Sequence, residues 1–266
     1  MTSLRPQVRT LQRPPNIKMQ NSEIKIIYED NDLLVADKPA GIVVFNEQRT
    51  ESKEQKSAKT LIDLIIEERP ELKNAGAAPR YGAVHRLDKD TSGIWLAAKN
   101  SQALIFFQKQ FKNREIEKKY TALVNGAVNN NEGQIETLVG RSAKDPRKQK
   151  VFLPGEPGSE GKRNALTAYR VIERFNDYTL LEVDIQTGRR HQIRCHLSYI
   201  QHPVTGDELY GFKNQPKPEG LNRQFLHASY LKIKMPNGEI KEFKSDLPEE
   251  LKNILENLKI KSQNAK

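Results

Sequence analysis

HRLDKDTSGIWLAAKN, residues 85–100, sets a charged turn containing a glycine directly against an unbroken apolar run. GIWLAA reads as a buried strand, and Gly93 marks where it leaves the turn. A carboxylate on a tight turn beside a buried strand is held rigidly, as a catalytic group requires. Asp88 and Asp90 are two residues apart, so their side chains need not face the same space, and Thr91 and Ser92 have hydroxyls able to tie the turn to its own backbone. The alternative is a structural turn in which Asp88 pairs with His85 or Arg86. The residues of this stretch leave that choice open.

Outward from the strand, the pattern is one of hairpins separated by short helices. Upstream, IKIIYEDNDLLVADKPAG (24–41) places two apolar runs on either side of Asp30-Asn31-Asp32, a hairpin signal. Thr60 is placed to cap a helix through LIDLIIEER, which Pro70 ends. Downstream, Ser101 is expected to cap a helix whose Leu104, Phe107 and Phe111 share one stripe, and KKYTALVNG (118–126) resumes strand character up to Asn125-Gly126. Residues 141–163 read as a loop rich in Lys, Arg, Pro and Gly. LTAYRVIERFNDYTLLEVDI (166–185) is a hairpin turning at Asn176-Asp177. Thr187-Gly188 lead into a helix over RRHQIRCHLSYI, with Ile193, Leu197 and Ile200 as its apolar stripe and Arg190 and Arg194 elsewhere on its surface. SYLKIKMPNGEIKEF is a further hairpin with Asn237-Gly238 at its turn, and Leu247, Leu251, Ile254 and Leu258 mark a closing amphipathic helix. Hairpins outnumber strand–helix–strand crossovers, so the expected class is α+β on a mixed, largely antiparallel sheet with flanking helices. Residues 1–20 hold Arg5, Arg9, Arg13 and Lys18 and no acid, which predicts a flexible basic arm ahead of one domain spanning 21–266.

Composition narrows the chemistry. The 266 residues carry 44 Lys+Arg against 34 Asp+Glu, a formal charge of +10 that favours a polyanionic partner. Cys195 is the single cysteine, which excludes an intramolecular disulfide framework and a cysteine-based zinc site and suits a reducing cytoplasm. No run approaches the roughly 20 apolar residues of a membrane helix, and the N-terminus has no signal-peptide core, so a cytoplasmic protein is expected. His191, His196 and His202 match neither a zinc-protease helix nor a finger, so no metal is expected. P-loop, Gly-x-Gly-x-x-Gly and Gly-x-Ser-x-Gly motifs are absent, leaving ATP-, NAD- and esterase-type readings without an anchor. The basic residues of TGRRHQIRCHL suit phosphate or carboxylate recognition. Tyr120 reads either as packing or as an aromatic platform for a base.

Taken jointly, these stretches resemble the RluA-type family of RNA pseudouridine synthases. HRLDKDTSGIWLAAKN is similar to the family's signature and DKPAGIVV (37–44) to its upstream lysine-proline-x-glycine segment; KKYTALVNG, TGRRHQIRCHL, HPVTGDELYG (202–211) and FLHASYL (225–231) follow in the family's order. The resemblance implies an isomerase that converts uridines of ribosomal or transfer RNA to pseudouridine. It also implies a sheet bent around a central RNA-binding cleft and no cofactor; a monomer is expected, separately from the resemblance. It makes Asp88 the essential aspartate, Tyr120 the tyrosine that stacks on the target base and Arg194 the arginine paired with Asp88. His85, Arg86, Leu87, Thr91, Arg190, His191 and Leu226 become the substrate-binding candidates, Leu226 as pocket wall. Phe45 stands where the family commonly has histidine, and Gln201 where glycine often precedes His-Pro. Two rivals are a non-catalytic RNA-binding or assembly factor on the same fold and a glycosidic-bond hydrolase, which would want a second carboxylate.

Overall fold

The computed structural model describes residues 15–18, 23–46 and 58–264. Strands β1 (Ile17–Lys18), β2 (Glu23–Glu29), β3 (Leu33–Lys38), β4 (Ser92–Ala98), β5 (Glu117–Asn125), β6 (Glu132–Arg141), β7 (Gln149–Phe152), β8 (Arg163–Arg174), β9 (Tyr178–Ile185), β10 (Leu226–Lys234) and β11 (Ile240–Lys244) make a single sheet. Its order is β1-β2-β3-β4-β10-β5-β9-β8-β6-β7, with β11 also on β10. All pairings are antiparallel except β4 with β10, which run parallel over two residue pairs, Ser92 with His227 and Gly93 with Ala228. From Tyr230 onward β10 pairs with β11 instead. The sheet therefore forks at the residues that follow the charged turn. The expected mixed, largely antiparallel α+β architecture is what the chain adopts.

Four α-helices flank the sheet: α1 (Leu61–Glu68), α2 (Ser101–Asn113), α3 (Gln192–Tyr199) and α4 (Glu249–Asn264). Every residue of β4 is buried, because both of its faces are covered. Trp95 and Ala97 pack with Leu61, Ile62 and Ile65 of α1, while Ile94, Leu96 and Ala98 pack with Ala103 and Phe107 of α2. Truncating the fully buried Trp95 to alanine should cost about 3–5 kcal/mol. Helix α4 covers a third cluster through Leu251, Ile254, Leu255 and Leu258, against Leu123, Leu180 and Phe225.

Several expectations hold in detail. Thr60 caps α1 through a reciprocal box with Asp63, and Asp30 Oδ1 accepts the Asp32 and Leu33 amides to close the first hairpin. Others need correction. The cap of α2 is Asn100, not Ser101: its Oδ1 accepts the Ala103 amide while its Nδ2 donates to Asp32 Oδ1, tying the helix to that hairpin. Residues 141–163 are not all loop, since Gln149–Phe152 pairs with β6 as a short edge strand whose polar half shows no hydrophobic alternation. Helix α3 begins at Gln192, because Arg189–His191 form the turn before it. Of the two arginines expected on its surface, Arg190 is exposed in that turn and Arg194, inside the helix, is buried. The sheet also starts inside the segment expected as an arm: Ile17 is buried and pairs with Ile24. Residues 1–14 of that arm lie outside the described residues.

Candidate active site

The turn bearing Asp88 is held from two sides by groups that never touch its carboxylate. Behind it, Lys38 is completely buried at the end of β3 and donates to the carbonyls of Pro39 (2.8 Å), Ile42 (2.9 Å) and Lys89 (2.9 Å). The Gly41 amide donates to the same Lys89 carbonyl at 3.0 Å. All three ammonium donors are thus spent on backbone, and burial lowers the Lys38 pKa to about 7 against the opposing pull of Asp90 and Asp88. DKPAG is therefore the backing of the turn. On the other side Arg223 donates to the Asp90 carbonyl (3.0 Å) and to Ser92 Oγ (3.1 Å), and His227 Nδ1 lies 2.9 Å from the same hydroxyl. Gly93 has φ of 112°, and a Cβ there would fall 2.2 Å from the Ala228 carbonyl oxygen, so no other residue fits. Held by its neighbours' backbone, Asp88 keeps its side chain for the cleft.

Arg194 meets that side chain, in a geometry the sequence does not reveal. Its Nη1 donates to Asp88 Oδ2 at 3.0 Å, whereas its two-pronged contact goes to Asp207: Nε to Oδ2 at 2.6 Å and Nη2 to Oδ1 at 2.9 Å. Asp207 Oδ1 also accepts the Leu209 and Tyr210 amides. Burial by itself would lower the Arg194 pKa, but the bonds to Asp207 and the charge of Asp88 outweigh it and hold the guanidinium above its ordinary value. Asp207 was not singled out in the sequence. Its signal lies in Gly206-Asp207 within HPVTGDELYG: Gly206 has φ of 77° and packs against the Arg223 carbonyl, starting a turn whose amides the following acid accepts.

A cleft of about 520 Å³ opens beside these groups, and Asp88 is the one acidic residue lining it among those described. Tyr120 lines it from β5, between Val183 of β9 and Ala228 of β10, and Leu226 is on the same wall. Burial, and then Asp88, raise the Tyr120 phenol above its ordinary pKa, so it stays protonated. Arg86 and Arg80 lie over the Phe45 ring, 5.5 and 5.0 Å from its centroid; the phenylalanine that departs from the family pattern is a platform for two guanidinium groups. The rim continues with Lys112, Arg114, Arg189 and Arg190. Gln201, the other departure, takes the left-handed backbone (φ of 69°) that makes glycine common there.

The remaining candidates divide by what their polar atoms do. His191 Nε2 is 3.9 Å from Asp88 Oδ1. Exposed Arg190 reaches the Arg147 carbonyl. Thr91 borders the cleft, but its hydroxyl accepts from Gln224 Nε2 at 2.8 Å. Leu87 packs into the core. The His85 ring stacks on Phe111 and accepts the Leu96 amide at 3.1 Å, so it braces the turn against β4. The three histidines considered for metal go separate ways: His196 faces Thr137 from full burial and His202 faces the Asn125 carbonyl. No three His, Cys, Asp or Glu side chains converge among the described residues.

Comparison with known proteins agrees with this geometry. A family model described as RNA pseudouridylate synthase matches residues 32–199. A Bacillus subtilis protein named uncharacterized RNA pseudouridine synthase YlyB is 38% identical over 238 residues, 89% of this chain and 73% of that one. Ribosomal large subunit pseudouridine synthase D of Haemophilus ducreyi is 32% identical over 259 residues, 93% of this chain and 74% of that one. Among solved structures, human RNA pseudouridylate synthase domain containing 1 superposes with a TM-score of 0.67 at 28% identity, covering 85% of this chain and 84% of that one. Human RNA pseudouridylate synthase domain containing 4, at 23% identity over 88% of this chain and 92% of that one, shares the fold with a TM-score of 0.69. With its forked sheet, its basic cleft and a match running through the Asp88 turn and α3, the chain belongs to the RluA-type family of RNA pseudouridine synthases, isomerases that act on uridine in RNA.

Proposed function

We propose that Asp88 is the reacting carboxylate, Arg194 the cation paired with it, and Tyr120 the face on which the target uracil stacks. The observation that carries this reading is that the one acid lining the cleft touches a buried arginine whose fork is already occupied by Asp207. Isomerisation breaks the C1′–N1 bond, turns the uracil, joins C1′ to C5 and releases the C5 proton. The base must first leave its stack, at a cost of a few kcal/mol that a basic rim and an aromatic wall help offset. An ionised Asp88 then serves as nucleophile or stabilises positive charge developing on the ribose. Arg194 sets a fixed positive charge 3.0 Å from that carboxylate. Because its pKa is raised, Tyr120 contributes a ring face and a hydroxyl donor rather than a base. Leu226 forms the apolar wall, while Arg86 and Arg190 contact phosphate at the rim. A single cleft carboxylate supports this reading over a hydrolase working with two.

The substrate we infer is RNA of the large ribosomal subunit, supported by relatives named ribosomal large subunit pseudouridine synthase D that match over most of the chain. Transfer RNA is the second reading, favoured by no specific feature of the site. Asp88, Tyr120, Arg194 and Asp207 come from one chain, which supports a monomer as the working unit, and action on ribosomal RNA supports a cytoplasmic location. No helix among the described residues is long and apolar enough to cross a membrane. Mapping pseudouridine across total RNA from cells with and without the gene tests the target. Loss of sites in large-subunit ribosomal RNA is the expected result, and loss confined to transfer RNA overturns it.

A further inference from the structure

His191 is the residue just before α3, with φ of 54°. Left-handed backbone is uncommon for a residue with a Cβ and, where the structure enforces it, clusters at functional sites. Tyr210 fixes the ring: the two rings meet edge to face at 5.7 Å, and His191 Nδ1 lies 3.0 Å from the Tyr210 hydroxyl. That hydroxyl is itself pinned, accepting the Gln149 amide at 2.6 Å. A phenol has one proton to donate, and its partner here is His191 Nδ1. Nδ1 is then an acceptor, and a neutral imidazole in that arrangement carries its hydrogen on Nε2. Burial lowers the His191 pKa to about 4. The Asp88 and Asp207 carboxylates oppose that shift, and Arg194 and Arg190 add to it. Nε2 lies 3.9 Å from Asp88 Oδ1, too far for a direct bond, and both residues line the cleft.

We propose that His191 is a further catalytic residue: its Nε2–H hydrogen-bonds a carbonyl oxygen of the flipped uracil and stabilises the uracil anion formed when the C1′–N1 bond breaks. The proposal rests on the reading of Asp88 as the reacting group. Heterolysis leaves the bonding pair on N1, from which it spreads to O2 and O4. When C1′ joins C5, the C5 proton departs to solvent and N1 takes up a proton, so nothing is oxidised and no co-reactant is used. A neutral donor suits this place, since an imidazolium would pair with Asp88 and blunt it. Donors aimed at developing charge in a water-poor site are typically among the larger contributions to rate. Gln149 and Tyr210 are positioning residues in this scheme, holding the tautomer rather than touching RNA.

Two measurements decide it. In protein labelled with 15N at histidine, the His191 ring at pH 7 should show a protonated Nε2 and a bare Nδ1; the opposite tautomer, or an imidazolium, overturns the proposal. In single turnovers at saturating RNA labelled with tritium at uridine C5, His191→Ala should slow release by roughly 10²–10³-fold, with RNA affinity within about twofold. His191→Gln, whose amide N–H reaches a similar point, should recover part of the rate, and Tyr210→Phe should lose roughly tenfold with a mixed tautomer in the same spectra. Should the alanine protein fail to fold, the glutamine variant and the spectra carry the decision. Wild-type protein that makes no pseudouridine defeats the functional reading, whereas an active wild type matched in rate by His191→Ala, or a folded His191→Gln with no rate above background, defeats this role alone.

Discussion

Two carboxylates share the Arg194 guanidinium, and the regions that present them are built in opposite ways. Asp207 lies inside a turn that folds onto its own side chain: it takes two arginine contacts and two backbone amides. Asp88 lies on a turn whose backbone is gripped by Lys38, Gly41 and Arg223 from outside, and its side chain is left with one arginine contact beside open space. A saturated carboxylate is an anchor, whereas one with free lone pairs next to a cleft is available for chemistry. Anchoring one arginine with the first makes it a fixed electrostatic partner for the second.

The largest expected effect isolates the reactive side of this pair. Asp88→Asn keeps the shape of the side chain and removes its charge, so tritium release should drop to background while RNA affinity and melting temperature stay near wild type. A folded, RNA-binding Asp88→Asn protein that still makes pseudouridine would sink the proposed mechanism. Next comes Arg194→Lys. An ammonium cannot span Asp88 and Asp207 together, so we expect an intact fold and a rate lower by roughly 10² through misplacement of Asp88; wild-type turnover would show that the bridge is dispensable.

Asp207→Asn attacks the anchoring side. Breaking a buried pair by removing one partner costs about 3–5 kcal/mol, and because the amide retains some hydrogen bonding, a loss near the lower figure is expected in chemical denaturation. If Asp207→Asn were as stable as wild type but inactive, the division into anchor and reactive group would be reversed.

Acid offers a subtler test of both regions. Burial lowers the pKa of His85, beside the Asp88 turn, to about 3 and those of His191 and His196, around α3, to about 4. An unfolded histidine titrates near 6.5, so between about pH 6.5 and 4 the unfolded chain holds protons that the folded one does not. Stability is therefore full above that window and falls as the pH drops through it, by up to about 1.4 kcal/mol per pH unit per histidine. Replacing His85 or His196 with glutamine should each flatten the slope by one proton in denaturation measured across this range. The smallest effect is reserved for Asp90→Asn. The Arg223 contact is to the Asp90 backbone carbonyl, and Asp90 is not on the cleft wall, so stability should change by less than about 1 kcal/mol and turnover stay near wild type. A large loss of rate there would mean that the wrong aspartate of the turn has been assigned.

Much of this is legible in the sequence alone. Local signals are strong where a segment's own residues decide its conformation: the all-apolar run of β4, the box of Thr60 with Asp63, and the turns at Asp30–Asp32, Asn176-Asp177 and Asn237-Gly238 appear where the sequence places them. The corrections fall where a partner distant in the chain decides. Gln149–Phe152 becomes a strand because β6 is beside it, and Asn100 replaces Ser101 as cap because Asp32 is within reach. Arg194 leaves the surface because Asp207, thirteen residues on, and Asp88, more than a hundred back, both meet it.

The sequence by itself determined the α+β class, the hairpin order and, through an ordered set of motifs, the family, and it marked Asp88, Tyr120 and Arg194 as the candidates proposed for the reaction. Period, turn chemistry and composition are properties of neighbouring residues, so they survive in one dimension. Only the tertiary structure decided which acid holds the Arg194 fork, that Lys38 and Arg223 grip the Asp88 turn from opposite sides, and that Tyr210 orients His191. Those are contacts between residues 13 to more than 130 positions apart, and no local pattern encodes a hydrogen bond whose second partner arrives only when the sheet closes.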